Sequence, residues 1–491
     1  MAADNWISGV SEMGFSAAAS FSMVAGFAVI VLLVDLVIPP GRRWILPSIS
    51  LVGVALSMAL TVLLWGREVV GFGGAISLDR FSSFFNLLFL LGAFLVILSS
   101  LFYARHENIE RGEYYSLLLF ATSGAMLMAS AVDLVVFFLG LEILSVSLYV
   151  LSGFFRDRAI SAEAAIKYFV LGAFASAFFL YGVALFYGAT GSTQYGAMEQ
   201  VLAVSGKPPG ILVYAASAML LAGLCFKLGS VPFHMWVPDV YQGAPTSITG
   251  YMSVVSKAAA FAAFVRIFGT SLASIQVDLS TVLWVLAVLT MTLGNLVAIS
   301  QTDIKRMLAY SSIAHAGYLL VALTAAGREG YASILFYTLA YAFMTLGAFG
   351  IVALLRRAEG EKGEVLEITS YSGLSTRHPL LAGAMALFMV SLAGIPPTGG
   401  FFAKFYVFSA AVGAGYVDLA IIGVLNSLVS VYFYMRIVFL MYMKEEIARV
   451  EAPSSYPARI ALGICVLGTL AMGIFPSGFA DLVASSVSAI F

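Results

Sequence analysis

Long apolar runs, cut at short intervals by polar turns, organise this chain from residue 17 to residue 476. A helix needs about 20 apolar residues to cross about 30 Å of hydrocarbon. By that measure fourteen runs qualify as spans: 17–38, 45–65, 81–103, 114–131, 133–154, 162–188, 209–242, 245–269, 279–300, 303–325, 331–356, 378–413, 416–441 and 458–476. The fourth and fifth are parted only by a tight turn near Asp133. The seventh and twelfth are too long for one plain span, and each is interrupted. The seventh reads FKLGSVPFHMWVPDVYQGAP and the twelfth SLAGIPPTGGFFAKFYVF. Proline removes a backbone donor and clashes with the preceding turn, so each helix is expected to break, near Pro232 and near Pro396–Pro397. In lipid such a break survives only where protein or a cavity covers it. Spans 4–8 and 9–13 each hold five helices, with the break in the fourth helix of both. Paired interruptions at matching positions are the signature of inverted repeats. The expected fold is an all-α polytopic membrane protein of 14 transmembrane helices, with two inverted five-helix repeats and broken helices 7 and 12. It divides into an N-terminal three-helix segment (1–113), a first repeat (114–269), a second repeat (270–441) and a C-terminal helix and tail (442–491).

Composition agrees with this picture. The 491 residues are 61% hydrophobic and 10% charged, far below the roughly 25% charge of soluble domains. A soluble enzyme is excluded. Loops after odd-numbered spans hold fifteen Lys and Arg, and loops after even-numbered spans hold four. Positive residues favour the cytoplasmic side, so both termini are expected to face outward, in a multi-pass protein of the bacterial inner membrane. Ahead of Arg42 there is no Lys or Arg, so the first run is expected to be a retained helix rather than a cleaved signal. Cys225 and Cys465 lie inside apolar runs without ligand spacing and read as packing residues. The polar stretch at 357–377 reads as one cytoplasmic loop. No Walker loop or GxGxxG offers a nucleotide a seat, GFGG at 71–74 being a poor match, and nothing suggests a nucleic-acid partner.

Against this apolar background the ionisable residues inside spans stand out, because a charge at mid-membrane costs about 2.5–3.5 kcal/mol on insertion scales. Glu142 lies nine residues after Asp133, about 14 Å deep. Ser145, Tyr149 and Ser152 share its face at helical spacing. Lys257 and His315 are each about twelve residues into their spans, and Lys227 and Lys404 lie beside the two breaks. One layer halfway through the membrane can hold all five groups. Burial penalises a lysine's charged form and a nearby carboxylate restores it. A Glu142–Lys227 pair would make the lysine's proton affinity depend on the distance of the glutamate, which is a proton relay with an electrostatic trigger. Histidine exchanges protons near neutral pH and suits linking positions. Lys257 is open to a second role, anchoring a backbone carbonyl. His234 is equally suited to capping carbonyls freed by the break, and His315 to a satisfied place in the core. Glu163 and Lys167 read as a local i,i+4 pair, His106 and His378 as solvated edges, and Arg266 and Arg436 as snorkelling span ends.

Four stretches carry a family resemblance: KLGSVPFHMWVPDVYQGAPTSITGYMSVVSKAAAF (227–261), SAEAAIKYFVLGAFASAFFLYG (161–182), TDIKRMLAYSSIAHAGY (302–318) and AGIPPTGGFFAKFYVF (393–408). They resemble the N-type antiporter-like subunit of proton-pumping NADH:quinone oxidoreductase, the bacterial respiratory complex I, over most of residues 80–440. The resemblance implies fourteen helices with two inverted repeats. It also implies a proton relay made of the helix-5 glutamate (Glu142), the lysine of broken helix 7 (Lys227), the helix-8 lysine (Lys257) and the lysine of broken helix 12 (Lys404), to which His234 and His315 are added as linking positions on their own chemistry. M-type sister subunits typically carry glutamate where Lys404 stands, and L-type sisters carry a long lateral helix. The implied role is that of a non-redox subunit of a translocase with no cofactor of its own. NADH, FMN, iron–sulfur clusters and quinone would belong to partner subunits, and M-type and K-type membrane subunits would be its neighbours in the bilayer. The competing reading is a subunit of a related cation/proton antiporter, which would need oxygen ligands for sodium where this chain has lysines. A carrier of organic solutes would need a roomy site of varied polar groups, and mainly titratable ones are seen.

Overall fold

The computed structural model describes residues 14–204, 210–273, 276–357, 363–447, 450–453 and 455–490. Among the described residues the chain is helical almost throughout, and four short strands make two antiparallel pairs, Val69–Gly71 with Ile76–Leu78 and Arg356–Arg357 with Val450–Glu451. Among the described residues, twelve helices are long and apolar enough to cross a membrane. Two of the expected fourteen spans fall outside that set. Gly112–Ser130 is a full helix of 19 residues, but it carries Tyr114, Ser116, Thr122 and Ser123, all of them buried. A helix enclosed by other helices need not be apolar, because its polar groups find partners inside: Tyr114 meets Ser100 and Ser247, and Thr122 meets Tyr251. The twelfth run is divided into Pro379–Ala393 and Gly399–Gly413, each too short alone.

Both breaks are real and end alike. Ile211–Leu228 terminates at Gly229 and Pro379–Ala393 at Gly394, each glycine left-handed at φ 68° and 84°. That conformation costs glycine nothing and lets the chain turn sharply. The first break resumes as the short helix Trp236–Gly243. The helix that follows runs from Thr246 to Thr270, with widened π turns at Met252–Ser256 and Ile267–Ser271 flanking the stretch that begins at Lys257. Such turns recur at functional positions.

The most enclosed helices are Thr246–Thr270, Ile304–Ala325 and Gly327–Leu354, so the centre of the bundle is made of the helices that carry Lys257 and His315. Outer helices such as Ala159–Thr190 and Val417–Met443 expose rows of Ile, Leu, Phe and Val, the face expected toward lipid or a neighbouring subunit. The C-terminal region holds one more helix than expected, Pro476–Val487, which packs on Gly327–Leu354. Arg266 corrects the expectation of snorkelling. It is buried, its guanidinium paired with Asp79 at 2.9 Å and donating to the Ala129 carbonyl at 3.1 Å. Arg436 likewise turns inward and donates to the carbonyls of Ile299 and Gln301 at 3.1 and 2.6 Å, capping the end of Gln276–Ile299. Cys225 and Cys465 are buried and free.

Helices Gly112–Ser130 and Leu134–Ser152 cross where Gly124 faces Gly140. A Cβ on Gly124 would lie 2.6 Å from the Leu144 nitrogen and 2.8 Å from the Gly140 carbonyl oxygen. Backbone cannot yield there as a side chain would, and overpacking typically costs about 1–3 kcal/mol. Gly124→Val is therefore expected to lower the thermal midpoint and yield of the detergent-extracted protein, while Gly26→Val, at a glycine with open space around it, leaves both unchanged.

Candidate functional site

Each central lysine is buried, and each is held by neutral oxygens. Lys227 lies in the last turn of Ile211–Leu228 and donates to Ser145 Oγ at 2.9 Å and to the Tyr168 hydroxyl at 3.2 Å. Lys257 donates to the carbonyl oxygen and the hydroxyl of Ser312, at 2.5 and 2.6 Å. Lys404 reaches back across the second break to the carbonyls of Leu392 and Ala393, at 3.0 and 2.9 Å, and to Ser427 Oγ at 2.8 Å. These are the carbonyls that the end of Pro379–Ala393 leaves without helical partners. The ammonium and the helix end satisfy each other.

His315 stands between the second and third lysines. Its Nδ1 lies 2.6 Å from the Tyr337 hydroxyl and its Nε2 3.0 Å from that of Tyr434, which also bonds Ser311. Tyr318, one turn on, faces the His315 ring at 5.8 Å and lies under the Lys404 ammonium at 5.1 Å. Ser312 and His315 occupy the same face of Ile304–Ala325, so Lys257, Ser312, His315, Tyr318 and Lys404 form a polar line through an otherwise apolar core. A groove of about 770 Å³, lined by Gly394, Phe405, Ser427 and Leu428, brings the outer surface up to Lys404.

The expected Glu142–Lys227 pair takes a different form. Glu142 is half-buried and accepts from Ser176 at 2.5 Å. No hydrogen bond among the described residues joins it to Lys227: Ser145, one turn on, accepts from Lys227 and donates to the Leu141 carbonyl, so the glutamate reaches the lysine through its field alone. Lys257 does anchor a carbonyl, as its second reading had it, and it holds the Ser312 hydroxyl as well. His234 lies in the break between the half-helices, half-buried, with a buried Nδ1 that finds no hydrogen-bond partner. No hydrogen bond among the described residues joins it to Lys227 or Lys257.

Elsewhere Lys167 pairs with Glu163 at 2.7 Å as expected, and also with Asp239 at 2.6 Å, which in turn holds Arg306 at 2.9 Å. His106 is exposed beside Glu107, while His378 is half-buried with Nε2 3.3 Å from the Val450 carbonyl. Lys305, at the start of Ile304–Ala325, and Glu364, in the loop expected at 357–377, are more enclosed than residues at the edge of spans need be. Lys305 is wholly enclosed and Glu364 5% exposed, their charges 3.3 Å apart. Helix ends and connections that pack into the bundle bury such residues, and sequence position alone does not show it. Sequence reasoning also passed over Tyr168, Tyr337, Tyr434 and Ser427, whose only signal was a hydroxyl within an apolar run. Among the described residues no group of three His, Cys, Asp or Glu is arranged to hold a metal.

Residues 131–430 match the family described as NADH:quinone oxidoreductase/Mrp antiporter, transmembrane. The chain belongs to that family. It is 46% identical over 462 residues to NADH-quinone oxidoreductase subunit N of Trichlorobacter lovleyi, which covers 94% of each chain. Its fold matches a chain of respiratory complex I from Thermus thermophilus with bound aureothin, with a TM-score of 0.80 and 36% identity over 95% of this chain and 99% of that one. A chain of the Mrp complex from Dietzia matches at 0.78 with 22% identity, over 95% of this chain and 97% of that one, a likeness of fold alone. Members of this family are multi-pass membrane proteins, in agreement with the twelve long apolar helices.

Tyr434→Phe removes a hydroxyl shared by His315 and Ser311, leaving polar groups unsatisfied at a cost of about 1–3 kcal/mol. The expected outcome is an assembled but less heat-stable complex with reduced NADH:quinone activity. Unchanged activity would exclude Tyr434 from the polar line.

Proposed function

We propose that this chain is the proton-translocating membrane subunit of an NADH:quinone oxidoreductase, driven by charge movements that reach it from a neighbouring subunit. The observation that carries this reading is the set of three buried lysines on three different helices, each coordinated by neutral oxygens, in a chain 46% identical to a subunit N. An ammonium paired with a carboxylate resists losing its proton; one held by hydroxyls and carbonyls gives it up more readily in a desolvated site. Protons enter from the cytoplasm, pass Lys257 and His315, reach Lys404 and leave outward. Lys227 is the switch, governed by the field of Glu142, and His234 lends its free nitrogen to exchange at the first break.

The finer architecture belongs to the same reading: fourteen spans, with inverted repeats at 114–269 and 270–441 whose breaks carry Lys227 and Lys404. It is supported by the meeting of five connections at one end of the bundle, contributed by Glu107, Arg158, Ala244–Thr246, Lys305 and Glu364. All five follow odd-numbered spans, the side to which the charge bias assigns the cytoplasm of a bacterial inner membrane. M-type and K-type membrane subunits are the proposed neighbours. NADH, FMN, iron–sulfur clusters and quinone belong to partner subunits, and this chain contributes proton-carrying groups rather than a redox centre. A sodium antiporter is less supported, because the oxygens a cation would need, on Ser312, Leu392, Ala393 and Ser427, already hold ammonium groups.

Lys404→Met keeps most of the unbranched side chain and removes its titratable ammonium. The expected outcome in membranes with a normally assembled complex is a loss of about tenfold or more in both proton pumping and quinone reduction, the scale of losing a positioned proton carrier. Normal pumping would contradict the assignment.

A further inference from the structure

The Lys305–Glu364 bridge is the one direct lysine–carboxylate pair among the described residues in which both side chains are less than a tenth exposed. Glu364 reaches it from the connection after Gly327–Leu354. The Tyr103 hydroxyl donates to its Oε1 at 2.5 Å, the Thr246 amide at 3.2 Å and the Thr246 hydroxyl as well. Arg158 approaches its Oε2 to 3.8 Å and bridges to Glu107. Burial alone would push the Glu364 carboxyl up, but the Lys305 charge, the Thr246 and Tyr103 hydrogen bonds and Arg158 together hold it below the usual carboxylate range. It is a fixed negative charge, aimed at one lysine.

Lys305 has a second partner. Its ammonium donates at 2.7 Å to the carbonyl of Ala244, which ends the half-helix Trp236–Gly243 just before the helix of Lys257 begins. Along Ile304–Ala325, Lys305 is seven residues ahead of Ser312, so the two share a face about 10 Å apart. Ser312 is the residue that holds Lys257. The Tyr241 hydroxyl, one turn before Ala244, lies 3.5 Å from Ser312 Oγ. A buried ammonium thus stands between the end of the bundle and the first lysine of the polar line, beside groups that lead to it.

We propose that Lys305 is a further proton-carrying residue, the entry station of the relay, and that Glu364 is the positioning residue that holds its charge there. This rests on the relay reading above. A proton leaving Lys305 passes to Ser312 and Lys257 through intervening water, and Lys305 is recharged from the solvent side. Glu364 stays ionised throughout, and the recharging step conserves protons with no other reactant.

Arginine separates transport from structure, because it keeps the charge and the bridge but does not release a proton. In assembled complex, Lys305→Arg is expected to lower pumping and quinone reduction together by about tenfold, the scale of a lost proton carrier. The doubly neutral Lys305→Met/Glu364→Gln leaves no unpaired charge and is expected to assemble yet remain equally slow. Glu364→Asp is expected to recover part of the activity that Glu364→Gln loses. Normal pumping in either Lys305→Arg or the double variant overturns the proposal, as does failure of both to assemble, which would mark the pair as a structural clamp. Lys404→Met in the same membranes keeps the two readings apart. If it is inactive while Lys305→Arg is normal, only the entry station fails; if it pumps normally, the relay itself fails.

Discussion

A helix that ends inside a membrane leaves carbonyls without donors, and a lysine inside a membrane needs oxygens for its ammonium. At the second break these two needs meet: Lys404 donates to Leu392 and Ala393, whose carbonyls Gly394 has just released from the helix. The rest of the structure follows from that constraint. The broken helix must be enclosed, because lipid offers no hydrogen bonds. Enclosure in turn demands polar partners on surrounding helices, which Ser427, Tyr318 and His315 supply. A buried charge that would be a defect alone becomes the link between two half-helices and a neighbouring polar core.

The charges fall into three levels. At one end, Arg266 and Asp79 form a buried bridge next to the Ala129 carbonyl. At the other, Lys305 and Glu364 form another. Between them the lysines have hydroxyls and carbonyls instead of carboxylates. Direct bridges hold their two charges in place, since removing one partner leaves a bare buried charge. Neutral ligands leave protonation open. The arrangement leaves the lysines in the middle of the bundle without a fixed counter-charge and sets a carboxylate beside Lys305, at the end from which the proposed relay is recharged.

Much of this was legible in the sequence. Prolines at 232, 396 and 397 announced both breaks, and isolated Lys227, Lys257 and Lys404 announced the buried charges, since nothing else justifies a lysine in an apolar run. Three features were hidden. The helix at Gly112–Ser130 was expected as the span 114–131, but that its polar side is enclosed by other helices rather than lipid needs three dimensions. Arg266 and Lys305 lie near span ends, where snorkelling and burial give the same pattern; only packing decides. The tyrosines that surround His315 look like ordinary aromatic core, and their hydroxyls matter only because the helix of Val417–Met443 brings Tyr434 to the ring.

The central claim is that lysine charge, responding to the field of Glu142, is coupled to electron transfer in the whole complex. The most direct measurement is proton pumping and NADH:quinone activity, side by side, in membranes carrying Lys227→Ala, with assembly checked on a native gel. The account predicts an assembled complex in which both activities collapse together. An assembled complex with both activities normal would make Lys227 a structural residue and contradict the relay.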